Sequence, residues 1–242
     1  KYSYIIFLLI PLTLSSQTSI MSYNIRYSTQ NDGENWWEFR KNEVAQLIDY
    51  YSPEIFGIQE GLDKQVKYLD TFLSNYSYVG VGRDDGKLKG EYAAIFYKHE
   101  RLKLISTKTY WLSETPDEIS IGWDASFKRV VTFGEFYDIQ TKDTLYVFNC
   151  HFDHKGKISR KKSAELILQI IEDKKVINKS ISVFTPPTTK SEKFDLPDFV
   201  KIDFLNKYFY TKLLNKYDLS NHKEKARELQ RKLKEIVSIR SF

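Results

Sequence analysis

Between residues 19 and 174 the chain alternates strand-like and helix-like apolar patterns, joined by short loops. "SIMSYNIRY" reads as a mostly buried strand. "NWWEFRKNEVAQLIDYYS" reads as a helix, since Val44, Leu47, Ile48 and Tyr51 recur at i, i+3, i+4 and i+7 and Pro53 stops the pattern. "EIFGIQE" is a short buried strand ending on Glu60, and "LDKQVKYLDTFLS" a second helix with Val66, Leu69 and Leu73 on one face. "YSYVGVGR", "EYAAIFYK" and "LKLISTKTYWLS" are strand-like. Lys128 to His151 reads as a long hairpin turned by Gln140 to Asp143. Ala164, Ile167, Leu168 and Ile171 mark a third helix. The order of these segments predicts an α/β protein in which two mixed β-sheets pack face to face with helices outside.

A chain of 242 residues can bury a sizeable core and needs no covalent staple. Its one cysteine excludes an intramolecular disulfide, a two-cysteine redox pair and a thiolate zinc cage. Cys150 follows the alternation of Tyr146 and Phe148 into a core, which makes it a small buried hydrophobe rather than a nucleophile.

The ends of the chain read differently. "KYSYIIFLLIPLTLSSQTS" carries one positive charge, an apolar run from Tyr4 to Leu14 and small polar residues. The run falls short of the ~20 apolar residues that cross a bilayer and matches the core of a secretory signal, so residues 1–18 are expected to direct export; a buried first strand or helix is the other reading. Residues 174–242 hold 16 Lys/Arg against 8 Asp/Glu, a net of +8, and residues 1–173 hold 21 against 24, a net of −3. Residues 175–242 therefore form a basic tail, mainly helical by pattern, with either solvated lysine faces or a surface for a polyanion.

Three strand ends carry polar residues: Asn24 in "MSYNIRY", Glu60 in "FGIQE" and His151 in "FNCHFDH". Sheets of this kind place ligand sites beyond strand ends, so the three can converge. Singly, each also suits a turn, a solvated carboxylate or a structural histidine. Together with "GEYAAIFYK", "YWLSETPD" and "GWDASFKRVVTF", in this order and spacing, residues 19–174 resemble the endonuclease/exonuclease/phosphatase superfamily of deoxyribonuclease-like, metal-dependent phosphoesterases. "SETP" and "GWDA" resemble its small exported bacterial branch. The resemblance implies that Glu60 coordinates Mg²⁺ (or Mn²⁺) with Asn24 in the same metal and phosphate site, and that His151 binds the scissile phosphate. It sets Arg26, Glu91 and Arg129 near that face, as pocket-lining residues or as core-edge ion pairs, and gives Asp153 an orienting role.

Two further motifs of that family, Gly-Asp-x-Asn and Ser-Asp-His, do not stand in this sequence. Ile181 to Phe184 suits the strand before the first, but Thr185-Pro186-Pro187-Thr188 follows; Ser220-Asn221-His222 is a near miss to the second and reads locally as a helix cap with Glu224. The C-terminal part is thus expected to be incomplete or replaced by helices. A positioned general base contributes about 10²–10⁴ in rate, so the sequence as it stands implies weak or absent turnover. A phosphorylated small molecule or phosphodiester is the expected partner. Nucleic acid is less favoured, since residues 1–173 are net negative and lack a basic stripe. A non-catalytic module that binds through the inherited cleft is the alternative.

Overall fold

A computed structural model describes residues 18–174, 180–184 and 200–201. The apolar run from Tyr4 to Leu14, Thr185 to Thr188, and the Ser220-Asn221-His222 segment with the helix expected after it lie outside the described residues. Thr18, assigned above to the leader, is part of the fold: its hydroxyl donates to Asp138 at 2.9 Å.

The strands are β1 (Ile20–Asn24), β2 (Ile55–Gly61), β3 (Tyr76–Val79), β4 (Tyr92–Lys98), β5 (Leu102–Trp111), β6 (Val130–Asp138), β7 (Thr144–Cys150), β8 (Ser180–Phe184) and β9 (Val200–Lys201). The helices are α1 (Trp37–Tyr51), α2 (Asp63–Phe72) and α3 (Lys157–Asp173). One sheet has the order β1-β2-β4-β3 and the other β5-β6-β7-β8-β9. Both are mixed: β1 runs parallel to β2, and β8 parallel to β7, while the hairpin partners are antiparallel. Among the described residues no helix is long and apolar enough to cross a membrane.

The alternation of side chains explains the layering. In β2 and β4, Phe56, Ile58, Ala94 and Phe96 turn toward α1 and α2, where they meet Trp37, Val44, Ile48, Val66 and Leu69. The opposite faces carry Ile55, Ile95 and Tyr97, which pack on Phe136, Leu145 and Val147 of the second sheet. On the far side of that sheet, Tyr146, Phe148 and Cys150 meet Ala164, Ile167, Leu168 and Ile171 of α3. The result is helix, sheet, sheet, helix. Cys150 is fully buried, and burial pushes its thiol pKa up, as its place in the alternation predicts.

In α1 the expected stripe is rotated. Val44 and Ile48 are buried, but Leu47 is 41% and Tyr51 63% exposed, and the inward positions are completed by Trp37 and Ala45. Trp37 supplies the largest apolar surface of the helix and sets which side faces the sheet; Leu47 then falls at one margin of the stripe, and Tyr51, the last helical residue, packs on Tyr50 instead. Ser52 closes the helix in the left-handed region at φ 44°, its N–H returning to Ile48 O, one residue before Pro53.

Helix α3 begins without a local cap. Asp124, from the "GWDA" stretch, accepts from the Ser159 N–H at 2.6 Å and from the Ile158 N–H at 3.2 Å. Its backbone and carboxylate crowd Gly156, where a Cβ would come within 2.6 Å of Asp124 Oδ1. A remote carboxylate thereby satisfies the orphan N–H groups of the first turn and ties the β5–β6 loop to α3. Asp124→Ala is expected to lower stability by about 1 kcal/mol, read as a lower urea midpoint with an unchanged m-value.

Candidate active site

One end of the sandwich collects the polar strand ends. Asn24 shares the inter-sheet face with Ser22, His151 with Asn149 and Val147, and Glu91 with Ala93 and Ile95, each by the two-residue period. Glu60 does not: continued regularly, β2 would aim it at the helices with Phe56 and Ile58. A β-bulge intervenes. The pairing of β2 with β4 skips from Ile58↔Ala94 to Gly61↔Tyr92, and Glu60 sits at φ 63°. The extra residue and the left-handed backbone turn the carboxylate to the rim.

There, Asn24 Nδ2 donates to Glu60 Oε1 at 2.8 Å, and the Tyr27 N–H donates to Oε2 at 3.0 Å. His151 Nε2 lies 3.9 Å from Glu60 Oε1, and its Nδ1 lies 3.9 Å from Glu91 Oε2. That Nδ1 is buried with no hydrogen-bond partner in the described structure. Glu91 is held in turn by Arg83 Nη1 at 2.8 Å. Burial raises the Glu91 carboxyl pKa, but His151, Arg83 and Arg129 beside it outweigh burial and hold it below the ordinary range.

A buried amide pair fixes these groups across the two sheets. Asn149 Nδ2 donates to the Ile58 and Ala94 carbonyls, at 2.8 and 2.7 Å, while its Oδ1 accepts from Gln59 Nε2 at 2.7 Å. Gln59 and Asn149 are both 0% exposed, one residue from Glu60 and two from His151. The backbone after β1 is anchored similarly: Arg26 lies at φ 62°, its carbonyl accepts from Gln65 Nε2 at 3.0 Å, and its N–H donates to Asn24 Oδ1 at 3.0 Å.

The structure thus brings together Asn24, Glu60, His151 and Glu91. Asn24 turns its amide nitrogen to Glu60 and commits its oxygen to the Arg26 N–H, so in this arrangement it steadies the carboxylate. Arg26 directs its guanidinium to Asp32 at 2.8 and 2.9 Å and is largely exposed. Arg129 and Asp153 form a buried ion pair at 3.3 Å. Asp153 also accepts from the Ser126, Lys155 and Gly156 N–H groups, so it organises the loop after β7. Gln59, Asn149, Gln65 and Arg83 escape a motif-based reading. For Gln59 and Asn149 the available signal was an amide inside an apolar strand, at an inward position; Gln65, in α2, and Arg83, in the β3–β4 loop, carry no such mark.

No group of three or more His, Cys, Asp or Glu with metal-holding spacing occurs among the described residues. An all-protein cage is therefore absent from them. A hard cation of the Mg²⁺ type asks less, since one or two carboxylate oxygens suffice when water and phosphate fill the remaining positions. Glu60, part-exposed and steadied by two donors, fits that requirement.

A two-sheet α/β sandwich with a carboxylate, an amide and an imidazole gathered at one rim is a defined structural class, and comparison with known proteins identifies it. No family model matches the sequence. The structure is similar to an endonuclease/exonuclease/phosphatase of Bacteroides vulgatus, with 39% identity and a TM-score of 0.61 over 64% of this chain and 59% of that one. It is also similar to a mannosyl-6-phosphatase of Bacteroides thetaiotaomicron, with 38% identity and a TM-score of 0.65 over 68% of this chain and 63% of that one. An uncharacterized protein of Acanthamoeba polyphaga mimivirus is 28% identical over an alignment of 195 residues, and the match covers 76% of this chain and 72% of that protein. The described residues have the fold of the endonuclease/exonuclease/phosphatase superfamily, and the chain is similar to its members in sequence. It spans about three fifths of the length of the solved structures it matches.

Asp153 gives the site a measurable electrostatic signature. Burial raises its pKa, but the Gly156 and Lys155 N–H groups and Arg129 overcome this and lower it to about 2. A depressed carboxyl pKa contributes stability above the unfolded value near 3.9 and loses it as pH falls toward the folded value; the shift corresponds to about 2 kcal/mol. Asp153→Asn is expected to lower the unfolding free energy by about that amount at pH 7, with the difference from wild type closing between about pH 4 and about pH 2 in denaturant titrations at each pH.

Proposed function

We propose that the protein is a metal-dependent phosphoesterase by descent, in which residues 18–174 supply the metal- and phosphate-binding part of the site. The single observation that supports this best is the meeting of Glu60, Asn24 and His151 at one rim, from three strands far apart in sequence. In this reading Glu60 holds Mg²⁺ or Mn²⁺, and Asn24 and the Tyr27 N–H keep its carboxylate from rotating away. When bound, the ion would polarise a phosphoryl oxygen and offset charge built up in the transition state. His151 donates from Nε2 to a phosphate oxygen, while Glu91, anchored by Arg83, faces Nδ1 and keeps the ring oriented. The likeness to a mannosyl-6-phosphatase at 38% identity favours a phosphomonoester of a small molecule, although phosphodiesters remain within the same chemistry.

The strings Gly-Asp-x-Asn and Ser-Asp-His do not occur in the sequence, so the residues that activate water in relatives have no counterpart by motif. Turnover is accordingly read as slow, by about the 10²–10⁴ that a positioned base contributes. The same gap favours the second reading, a module that binds phosphate esters in the cleft without hydrolysing them.

An aryl phosphate ester with Mg²⁺ separates the two. Slow, metal-dependent release of phosphate that falls at least tenfold in Glu60→Ala supports the hydrolase; no release, with phosphate-ester binding retained in calorimetry, supports the binding module.

A further inference from the structure

Beyond Glu91 the rim is built from two loops that pack as one wall, residues 80–91 between β3 and β4 and residues 112–129 between β5 and β6. Trp111 Nε1 donates to the Arg83 carbonyl at 2.8 Å. Gly86, at φ 66°, lies so close to Trp111 that a Cβ there would come within 3.2 Å of the ring. Lys128 Nζ reaches Asp84 at 3.8 Å.

Phe127 stands out in this wall. The backbone on both sides of it is tied down: the Trp123 N–H donates to the Glu114 carboxylate, Asp124 caps α3, the Ser126 N–H donates to Asp153 at 3.1 Å, and the Arg129 carbonyl accepts from the Leu112 N–H at 2.7 Å. Phe127 is nonetheless 49% exposed. The Arg83 and Arg129 guanidinium carbons lie 5.5 and 5.9 Å from its centroid, and His154 stacks at 6.1 Å with an interplanar angle of 23°. Arg83 is the residue that holds Glu91, and Glu91 is the residue that faces His151. The aromatic ring is therefore linked to the imidazole through two side chains, Arg83 and Glu91.

A rigid, half-exposed aromatic ring beside a phosphate site is a platform for whatever the phosphate is attached to. Its surroundings narrow the chemistry. Arg83 and Arg129 lie over the ring and His154 stacks against it, so the exposed part of the aromatic surface has N–H donors beside it, which suits a ligand apolar on its face and polar around its edge. A sugar ring has that character; a flexible acyclic alcohol does not. The geometry points to Phe127 as a specificity-determining residue that stacks against the sugar ring of a sugar phosphate. This deepens the phosphoesterase reading and rests on it. Because the platform is fixed before the ligand arrives, ordering it costs little at binding.

The test compares hexose 6-phosphate with glycerol phosphate as substrates of wild type, Phe127→Ala and Phe127→Tyr in the presence of Mg²⁺. The ratio of kcat/KM for the hexose ester to that for the glycerol ester is expected to fall about tenfold in Phe127→Ala, chiefly through KM, and to recover in Phe127→Tyr, in keeping with the strength of aromatic stacking. An unchanged ratio overturns the assignment and leaves Phe127 as a cover over Arg83 and Arg129. Calorimetric binding of hexose 6-phosphate to the same proteins supplies an independent readout. Affinity weakened several-fold in Phe127→Ala and restored in Phe127→Tyr supports the platform even if wild type hydrolyses neither ester, a result that would count against the phosphoesterase reading alone. Equal affinities in all three proteins overturn the platform.

Discussion

The hydrogen bond between the Gln59 and Asn149 side chains joins the two sheets at the level where both end. Burying two primary amides is costly unless their polar atoms are paired. Here Asn149 uses both hydrogens on backbone carbonyls of the other sheet, Ile58 and Ala94, and its oxygen on Gln59 Nε2, which also reaches Ser22 Oγ at 3.3 Å; among the described residues Gln59 Oε1 has no partner. Apolar residues between the sheets, such as Ile95, Phe136 and Val147, favour close packing without dictating one register. The amides do dictate it, because a shift along either strand would strand several buried donors and acceptors at once. Glu60 and His151 inherit their relative position from that lock.

A second constraint acts locally. Period-two alternation delivers Asn24, Glu91 and His151 to the rim without special backbone geometry, whereas Glu60 needs a bulge and a left-handed residue. For a residue with a Cβ such a conformation is unfavourable and persists only where the surroundings impose it. The surroundings are visible: Gln59 pinned on one side, Gly61 buried against Ile58, Ile25 and Val66 on the other, and the carboxylate itself drawn toward Asn24 and the Tyr27 N–H. The charges follow the same economy. Arg83 with Glu91, and Arg129 with Asp153, place two guanidinium groups and their carboxylate partners inside the rim, and each ion pair offsets the desolvation of its own members.

Much of this was legible beforehand for physical reasons. Strand and helix periodicities located the main elements, because each has one face that must be buried; the α3 stripe is buried as Ala164, Ile167, Leu168 and Ile171 suggested. In α1 the same rule chose the wrong margin, since a helix pattern does not say which apolar residue anchors it, and Trp37 outweighed Leu47. The convergence of Asn24, Glu60 and His151 was readable from their places at strand ends together with the family likeness. Their supports were not. Gln59 and Asn149 are meaningful only as a pair across 90 positions, and nothing local marks Asp124 as the cap of a helix that begins at Lys157. The bulge at Glu60 was equally hidden, because "FGIQE" reads as a regular strand.

The proposed chemistry therefore depends on an inter-sheet lock rather than on the reactive residues alone. A double-mutant cycle with Gln59→Leu, Asn149→Leu and the double variant, reading both unfolding free energy and Mn²⁺ affinity, tests that dependence most directly. The account predicts a coupling of about 1–3 kcal/mol in stability and a Mn²⁺ affinity lowered about 10–100-fold in each single variant. Additive stabilities with unchanged Mn²⁺ binding would contradict it.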